Sequence, residues 1–444
     1  MSYDHAISQL YKLGHELSGA SHKFDLEYVR VLLREIGNPE RRFKSVLIAG
    51  TNGKGSTAAT LASIIRAAGH RTGLYTSPHL VTINERIRVD GEEIANDDFA
   101  QAYERVEAAA QKLVAAGALP WHPSFFEMLT AMALQHFAEA GVEVAVLEVG
   151  MGGRLDATNV VDPLVSVITD ISLDHQKYLG NTITEIACEK AGIIRSDGVV
   201  ITLPQHPEAN AVIGNTALER GARLVSPVQY VPPVSPGAAH RERNCYSLDV
   251  MGKQIKVDSP LAGRHQLRNI ALAIGTAEEL NRAGVSIAPR DIEAGIRETR
   301  WRGRFQIIAA AGNRPEIVLD GAHNPAGAWA LRSALSERFP DREITLVFGM
   351  MRDKAVTEVT QILFPIAKHV IVTPADNPRS ATPEEIRDAA DRITTDIIEE
   401  ANVAAALRRA SELAAPGSAS AAVPLVVVAG SIYIVGEALA RLGA

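Results

Sequence analysis

The chain has 444 residues, 46% of them hydrophobic, with a formal net charge of −7 and only two cysteines, Cys188 and Cys245. That length exceeds what a single hydrophobic core fills, so two domains are expected, and an acidic balance without a long basic run argues against a nucleic-acid groove. With no CxxC spacing, no His/Cys cluster, no signal pattern and no apolar stretch of bilayer length, the expectation is a cytoplasmic monomer acting on small molecules, without a disulfide framework, structural zinc or membrane span.

In chain order, Met1 to about Gly37 has helical spacing (Ile7, Leu10, Tyr11), broken at Phe24-Asp25-Leu26-Glu27. Ser45 to Thr57 reads SVLIAGTNGKGST: a short apolar strand, a glycine-rich loop and the first turn of a helix. Gly50, Gly53 and Gly55 free the backbone to turn its N–H groups inward, and the helix points its positive end at the same spot, which suits a phosphate cradle. Lys54 adds a positive charge for the outer phosphates, and the Ser56 and Thr57 hydroxyls are candidate Mg²⁺ ligands. The spacing departs from the standard phosphate-binding loop, because two residues separate Gly50 from Gly53 and Gly55 lies between Lys54 and Ser56.

Leu61, Ile64, Ile65 and Ala68 continue a helical stripe that Gly69 ends. Arg71 to Tyr75 reads as a strand, and the polar stretch from Thr76 through Asn84-Glu85-Arg86-Ile87 as a surface loop. A helix over Asp97 to Ala116 follows, then a break at Pro120 to Pro123 and a helix containing Ser124-Phe125-Phe126-Glu127. Val142 to Val149 is a strand buried on both faces, with Glu148 at its carboxyl end, where open α/β sheets bind ligands. Gly150 to Asn159 is a glycine-rich loop, Pro163 to Thr169 the next strand, and Asp170 to Gly180 its tip, carrying His175. Thr184 to Ile194 reads as a helix containing Lys190. Cys245 to Asp258 is expected to form a hairpin turning at Met251-Gly252-Lys253, and Gly263 to Asn269 to open a helix reaching Leu280.

A connector at Thr299 to Arg304 divides an N-terminal domain, 1–298, from a C-terminal one, 305–444. In the latter, strands at Glu316 to Leu319, Ile344 to Phe348, His369 to Thr373 and Leu425 to Ala429 alternate with helices such as Gly327 to Arg338, the pattern of a parallel sheet. Asp320 to Pro325, Gly349 to Lys354 and Gly430 to Tyr433 end three of those strands.

The segments GTNGKGST, SPHL with NERI, EVGMGGRLDATN, DHQKYLG, EKAGI, the His–Asn pair of GRHQLRN, GRF, DGAHNP, GMMRDK and GSIYIVGE occur in this order over nearly the whole chain. Together they resemble folylpolyglutamate synthase and dihydrofolate synthase, members of the Mur ligase superfamily. The resemblance implies an α/β fold with a P-loop-type ATP-binding domain and a Rossmann-like C-terminal domain. It also implies an ATP-dependent ligase that activates a carboxyl as an acyl phosphate and adds L-glutamate to folates and to dihydropteroate.

By the same resemblance, ATP is held by Asn52, Gly53, Lys54, Gly55, Ser56, Thr57, Asn269, Arg304 and Asp320. One Mg²⁺ falls to Ser56 and Glu148, and a second to Ser77 and His175. The pterin is assigned to Phe24, Asp25, Leu26 and Glu27, to Ser124, Phe125, Phe126 and Glu127, and to Leu155, Asp156 and Ala157, the adjacent phenylalanines offering a stacking surface. His323 and Ser431 fall in the region of glutamate or the transferred phosphate. Lys190 matches a lysine that the family carbamylates, whereas the residues alone equally allow a surface lysine paired with Glu185 or Glu189. Rival readings are a superfamily ligase acting on a nucleotide-linked sugar peptide and a nucleotide-regulated binding module without turnover.

Overall fold

The computed structural model describes residues 1–14, 25–233, 243–312, 314–390, 396–414 and 423–443. Its first sheet comprises β1 (Lys44–Ala49), β2 (Thr72–Tyr75), β3 (Ile87–Val89), β4 (Glu92–Glu93), β5 (Val144–Glu148), β6 (Val165–Ile168), β7 (Val199–Thr202) and β8 (Arg223–Val225), in the order β4-β3-β2-β5-β1-β6-β7-β8. β1 and β5 are near-continuous apolar runs buried throughout past Lys44, as strands covered on both faces must be. Alternation along β1 divides the two cores. Leu47 and Ala49 pack with the helices Asn96–Ala115 and Phe125–Glu139, whereas Val46 and Ile48 pack with the helices Lys54–Ala67 and His265–Arg282.

The parallel register sets Ile48 beside Glu148 and Ala49 beside Ile168. The chain therefore leaves β1, β5 and β6 at one edge of the sheet, and all three following loops open on the same crevice. A hairpin of β9 (Asn244–Val250) and β10 (Lys253–Ser259) turns at Met251 and Gly252, both at positive φ, as a two-residue turn matched to strand twist requires.

The second sheet comprises β11 (Gln306–Ile308), β12 (Glu316–Leu319), β13 (Glu343–Phe348), β14 (His369–Val372), β15 (Ile397–Glu399) and β16 (Pro424–Ala429), ordered β11-β12-β16-β13-β14-β15. All its pairs are parallel except β11 with β12. Helices Pro325–Arg338 and Val356–Leu363 cover one face, and helices Val403–Leu413 and Ile432–Leu442 the other.

Two expectations are corrected. The N-terminal segment forms two helices, Tyr3–Lys12 and Leu26–Glu35, and Asp25 starts the second by accepting the Glu27 N–H at 2.9 Å; Phe24 lies outside the described residues. Past the stretch expected as loop, β3 and β4 pair antiparallel at the edge of the first sheet. The stretch from Thr76 to Ile87 is not a surface loop: Asn84, Glu85 and Arg86 are buried. The Glu85 carboxylate accepts the N–H groups of Leu80, Val81 and Thr82 at 2.9, 2.7 and 2.9 Å, and Arg86 Nε donates to His79 Nδ1 at 2.9 Å with its guanidinium 5.5 Å from the Phe125 ring centre. A buried polar loop is stable only when its donors and acceptors are matched in this way.

The two sheets meet where the helix Ile432–Leu442 lies against this loop. A Cβ on Gly436 would stand 1.8 Å from the Leu80 carbonyl oxygen, so the glycine permits backbone-to-backbone approach between the domains. Gly436→Ala is expected to destabilise the protein by about 1–3 kcal/mol, the usual range for overpacking, because the clash is with backbone that cannot rotate away. A urea-denaturation midpoint matching the unsubstituted protein would contradict the contact.

Candidate active site

The loop after β1 is shaped by two strained glycines. Gly50, at φ +148, has no room for a Cβ, which would lie 1.8 Å from Thr169 Oγ1. Gly53, at φ +88, starts the helix Lys54–Ala67, and a Cβ there would reach within 2.2 Å of Asn269 Oδ1. Lys54 Nζ folds back onto the carbonyls of Gly50 and Thr51, at 3.2 and 3.3 Å, which leaves its ammonium over the loop. Gly55 lies against the Trp301 indole of the connector, and Ser56 faces a cavity of about 810 Å³. Thr57 does not line that cavity: it is fully buried, and its hydroxyl has no partner among the described residues.

The cavity runs between the strand tips of both sheets. Ser77, Glu148, His175 and Lys190 line it from the first, and Arg304, Asp320, His323, Lys354, Arg379 and Ser431 from the connector and the second. Ser77 N donates to Glu148 Oε2 at 3.3 Å, so these two are neighbours. Lys190 is 4% exposed and donates to the Gly50 carbonyl at 2.8 Å, tying the helix Ile183–Ala191 to the phosphate loop. The surface-lysine alternative fails, since Glu185 caps its own helix and Glu189 pairs with Arg154. Burial first, and then the Lys54 charge, pull the Lys190 ammonium down to about 7, against the opposing pull of Asp174 and Asp156.

Asp174 is the centre of charge. Its side chain, 6% exposed, accepts Lys354 Nζ at 2.5 Å, Asn324 Nδ2 at 3.1 Å and the His175 N–H at 2.8 Å, and it lies 3.4 Å from His323 Nε2. Burial raises its pKa, but the His323 hydrogen bond and the charges of His323, Lys354 and His175 outweigh that and hold the carboxyl far below its usual range. His175 has φ +51; its Nε2 lies 3.1 Å from Lys354 Nζ, its Nδ1 is buried without a partner among the described residues, and burial followed by the Lys354 charge lowers its pKa to about 3. The imidazole is therefore neutral at physiological pH, the form that can bind a metal. His323 Nδ1 also faces the Gly321 carbonyl at 2.8 Å.

The remaining expected residues divide. Asn269 lines the cavity and donates to Gln266 Oε1 at 2.8 Å; Arg304 reaches the Gly303 carbonyl at 3.2 Å; Ser431 caps the helix Ile432–Leu442. Asp320 spends both carboxylate oxygens on backbone, accepting Phe305 N at 2.8 Å and Ala322 N at 2.9 Å, so it shapes the strand tip as well as facing the cavity. Asp25, Ser124, Phe125, Phe126, Glu127, Leu155, Asp156 and Ala157 all border the cavity, but Leu26 and Glu27 do not: Leu26 is buried and Glu27 pairs outward with Arg34.

The two phenylalanines do not form one stacking surface. Phe125, 2% exposed, is stacked on Tyr11 in the core, and Phe126 alone lies over Gly150, where a Cβ would come 2.5 Å from its ring. Asp156 is an organiser of its glycine-rich loop, accepting Met151 N at 2.9 Å and Thr158 N at 3.0 Å, with burial pushing its carboxyl up. Asp174, Asn324 and Lys354 stand inside segments quoted above and were given no role there; a charged residue beside a strand-tip histidine was the available signal.

The crevice between two α/β domains, with a glycine loop and cations at facing strand tips, belongs to a chain built of Mur ligase domains. A family model for the Mur ligase middle domain matches residues 122–277, and one for the Mur ligase glutamate ligase domain matches 303–432. The chain is 36% identical over 443 residues to a probable bifunctional folylpolyglutamate synthase/dihydropteroate synthase of Haloferax volcanii, covering 99% of this chain but 50% of that protein, so it spans half of that relative's length. It is 34% identical over 377 residues to the dihydrofolate synthase/folylpolyglutamate synthase of Bacillus subtilis, covering 82% of this chain and 84% of the other. The solved structure of Mycobacterium tuberculosis folylpolyglutamate synthase complexed with ADP and AMPPCP matches with a TM-score of 0.89 at 32% identity, over 99% of each chain. The chain belongs to the folylpolyglutamate synthase/dihydrofolate synthase family.

Gly53→Ala is expected to weaken nucleotide binding by roughly tenfold or more, since both the positive φ and the Asn269 contact resist a side chain there. Calorimetric titration with ADP measures this, and an unchanged affinity would mean that the loop does not hold the nucleotide.

Proposed function

We propose that the protein uses ATP to ligate L-glutamate to folates, extending a polyglutamate tail, and that it also glutamylates dihydropteroate. The observation that carries this reading is a continuous cavity that joins the phosphate loop to the Phe126 and Asp156 side and to the cationic strand tips of the second sheet. We place the domain division at 1–298 and 305–444, because the helix Pro289–Glu298 is the last element before the connector and β11 begins the second sheet at Gln306.

A carboxylate is a poor acylating agent at neutral pH. Transfer of the γ-phosphoryl group to an acceptor carboxylate oxygen gives an acyl phosphate, and attack by the glutamate amine on its carbonyl carbon forms the amide and releases phosphate. Charge on the transferring oxygens is met by the loop N–H groups and Lys54, placed before the reaction begins. All four of Arg304, Asn269, His323 and Ser431 line the cavity; by this reading the first two contact the nucleotide, and the last two serve glutamate or the transferred phosphate.

Magnesium fits the donors present. Among the described residues no group of three or more His, Cys, Asp or Glu side chains forms a metal cage, and a cation bound by one carboxylate, hydroxyls, phosphate oxygens and water is the habit of Mg²⁺. Ser56 with Glu148, and Ser77 with His175, would hold two such ions, which when bound neutralise phosphate charge.

By this reading Lys190 is carbamylated. Its amine, neutral above about pH 7, attacks CO₂ to give an N-carboxylate and a proton, replacing a buried cation with an anionic oxygen donor. Depleting CO₂ should lower activity and bicarbonate restore it, with a ¹³C carbamate resonance that grows as pH rises through 7 at fixed dissolved CO₂. Activity indifferent to bicarbonate, with no such resonance, would make Lys190 a structural lysine.

The function itself is tested by phosphate release with a reduced folate or dihydropteroate plus L-glutamate, against a nucleotide-linked sugar peptide plus amino acid. Release with the first acceptors only is expected, and Lys54→Ala should reduce it by about 100-fold or more while leaving thermal stability nearly unchanged. Release with the sugar peptide alone, or full activity in the variant, would overturn the reading.

A further inference from the structure

Asp174 leaves the first sheet just past β6, yet three of the groups gathered on its carboxylate come from the other domain: His323 and Asn324 follow β12, and Lys354 follows β13. We propose that Asp174 is a positioning residue which, acting through Asn324 and Lys354, locks the C-terminal domain onto the phosphate loop in the register that ligation requires.

Asn324 carries the link onward. Its Oδ1 accepts Gly327 N at 2.8 Å, capping the helix Pro325–Arg338, and also accepts Asn52 Nδ2 at 3.3 Å. Its Nδ2 donates to Asn52 Oδ1 at 3.0 Å and to Asp174 Oδ2 at 3.1 Å. One side chain, 2% exposed, thus joins a helix of the second domain, the phosphate loop and the buried carboxylate. Asn52 is held in turn by Ser172, its Nδ2 donating to Ser172 Oγ at 3.1 Å, and Ser172 belongs to the same strand tip as Asp174. The three segments close into a ring of hydrogen bonds around the cavity wall.

The arrangement suits a closure that must also open. The groups are polar, so water can replace their partners when the domains separate; an apolar contact of the same size would have to expose its surface instead. The Lys354 side chain, 9% exposed, needs a counter-charge while the cleft is closed, and Asp174 supplies it. Direction is supplied by geometry: the reciprocal Asn52–Asn324 amide pair forms in only one register, and a 1 Å error in placing reacting groups lowers rates by about 100-fold. The lock is distinct from the Gly436–Leu80 contact, which is packing of backbone beside the connector's Gly303 and shares no residue with the Asp174 network.

Two variants test it. Asp174→Asn keeps the shape and removes the charge. Asn324→Ser keeps a helix cap but is too short to reach Asn52 or Asp174. The inference rests on the ligase reading for its kinetic readout only, and small-angle scattering of the ligand-free protein supplies a second that needs no substrate. Each variant should fold, show a larger radius of gyration than the unsubstituted protein, bind ADP within about threefold of it and lose roughly 100-fold in kcat. Because both act through one lock, adding Asn324→Ser to Asp174→Asn should change kcat by no more than about twofold further, the limit within which independent effects cannot be told apart.

If Asp174→Asn does not fold, Asn324→Ser carries the test alone. Variants as compact as the unsubstituted protein, or with kcat within threefold of it, or whose losses multiply in the double variant, would overturn the proposal. Variants that expand in scattering while the unsubstituted protein ligates no folate would uphold the lock and refute the ligase reading.

Discussion

Several cationic or titratable groups, Lys54, Lys190, Lys354 and His175, crowd one buried cleft, and the rest of the site follows from how their charge is managed. Like charges in a weakly polar interior repel strongly, so not all of them can be cations at once. The structure resolves this in three ways. Lys354 takes Asp174 as its counter-ion; His175 and Lys190 are held toward their neutral forms by burial; and Lys54 is shared between two loop carbonyls, where an incoming phosphate can claim it. The cleft is thereby poised for anions without being filled by them.

Such a site needs two domains. Anionic substrates must enter through water, but phosphoryl transfer and attack on an acyl phosphate require water to be excluded, since hydrolysis competes with the amine. The polar contacts across the cleft and the glycine-mediated approach of the helix Ile432–Leu442 to the Ser77 to Leu80 loop join the two domains, the former through groups that water can also solvate. The aromatic and glycine-rich wall near Phe126 and Met151 offers an apolar surface of the kind a flat heterocycle needs, and the strand tips opposite offer the charges its carboxyl end needs.

Much of this was legible in the sequence because it is local. The glycine loop, the buried strand ending in Glu148, the hairpin turn at Met251-Gly252 and the alternation of strands and helices each depend on neighbours within a few residues. The charge network does not: Asn324 and Lys354 meet Asp174 across 150 and 180 positions, and no periodicity reports such a meeting. The burial of Glu85 escaped for a related reason, since its charge reads as solvent-exposed until three backbone N–H groups are found to cradle it. Phe125 and Phe126 both border the cavity, but successive residues on a helix point about 100° apart, so Phe125 also packs into the core against Tyr11.

Everything in this chemistry turns on a carboxylate oxygen of the acceptor attacking the γ-phosphorus before the amine arrives. That attack is tested by giving the enzyme ATP, L-glutamate and an acceptor whose reacting carboxylate carries ¹⁸O at both oxygens, then measuring the isotope in the released phosphate by mass spectrometry. One labelled oxygen is expected in each phosphate released, carried over through the acyl phosphate. Unlabelled phosphate accompanying amide formation would contradict it.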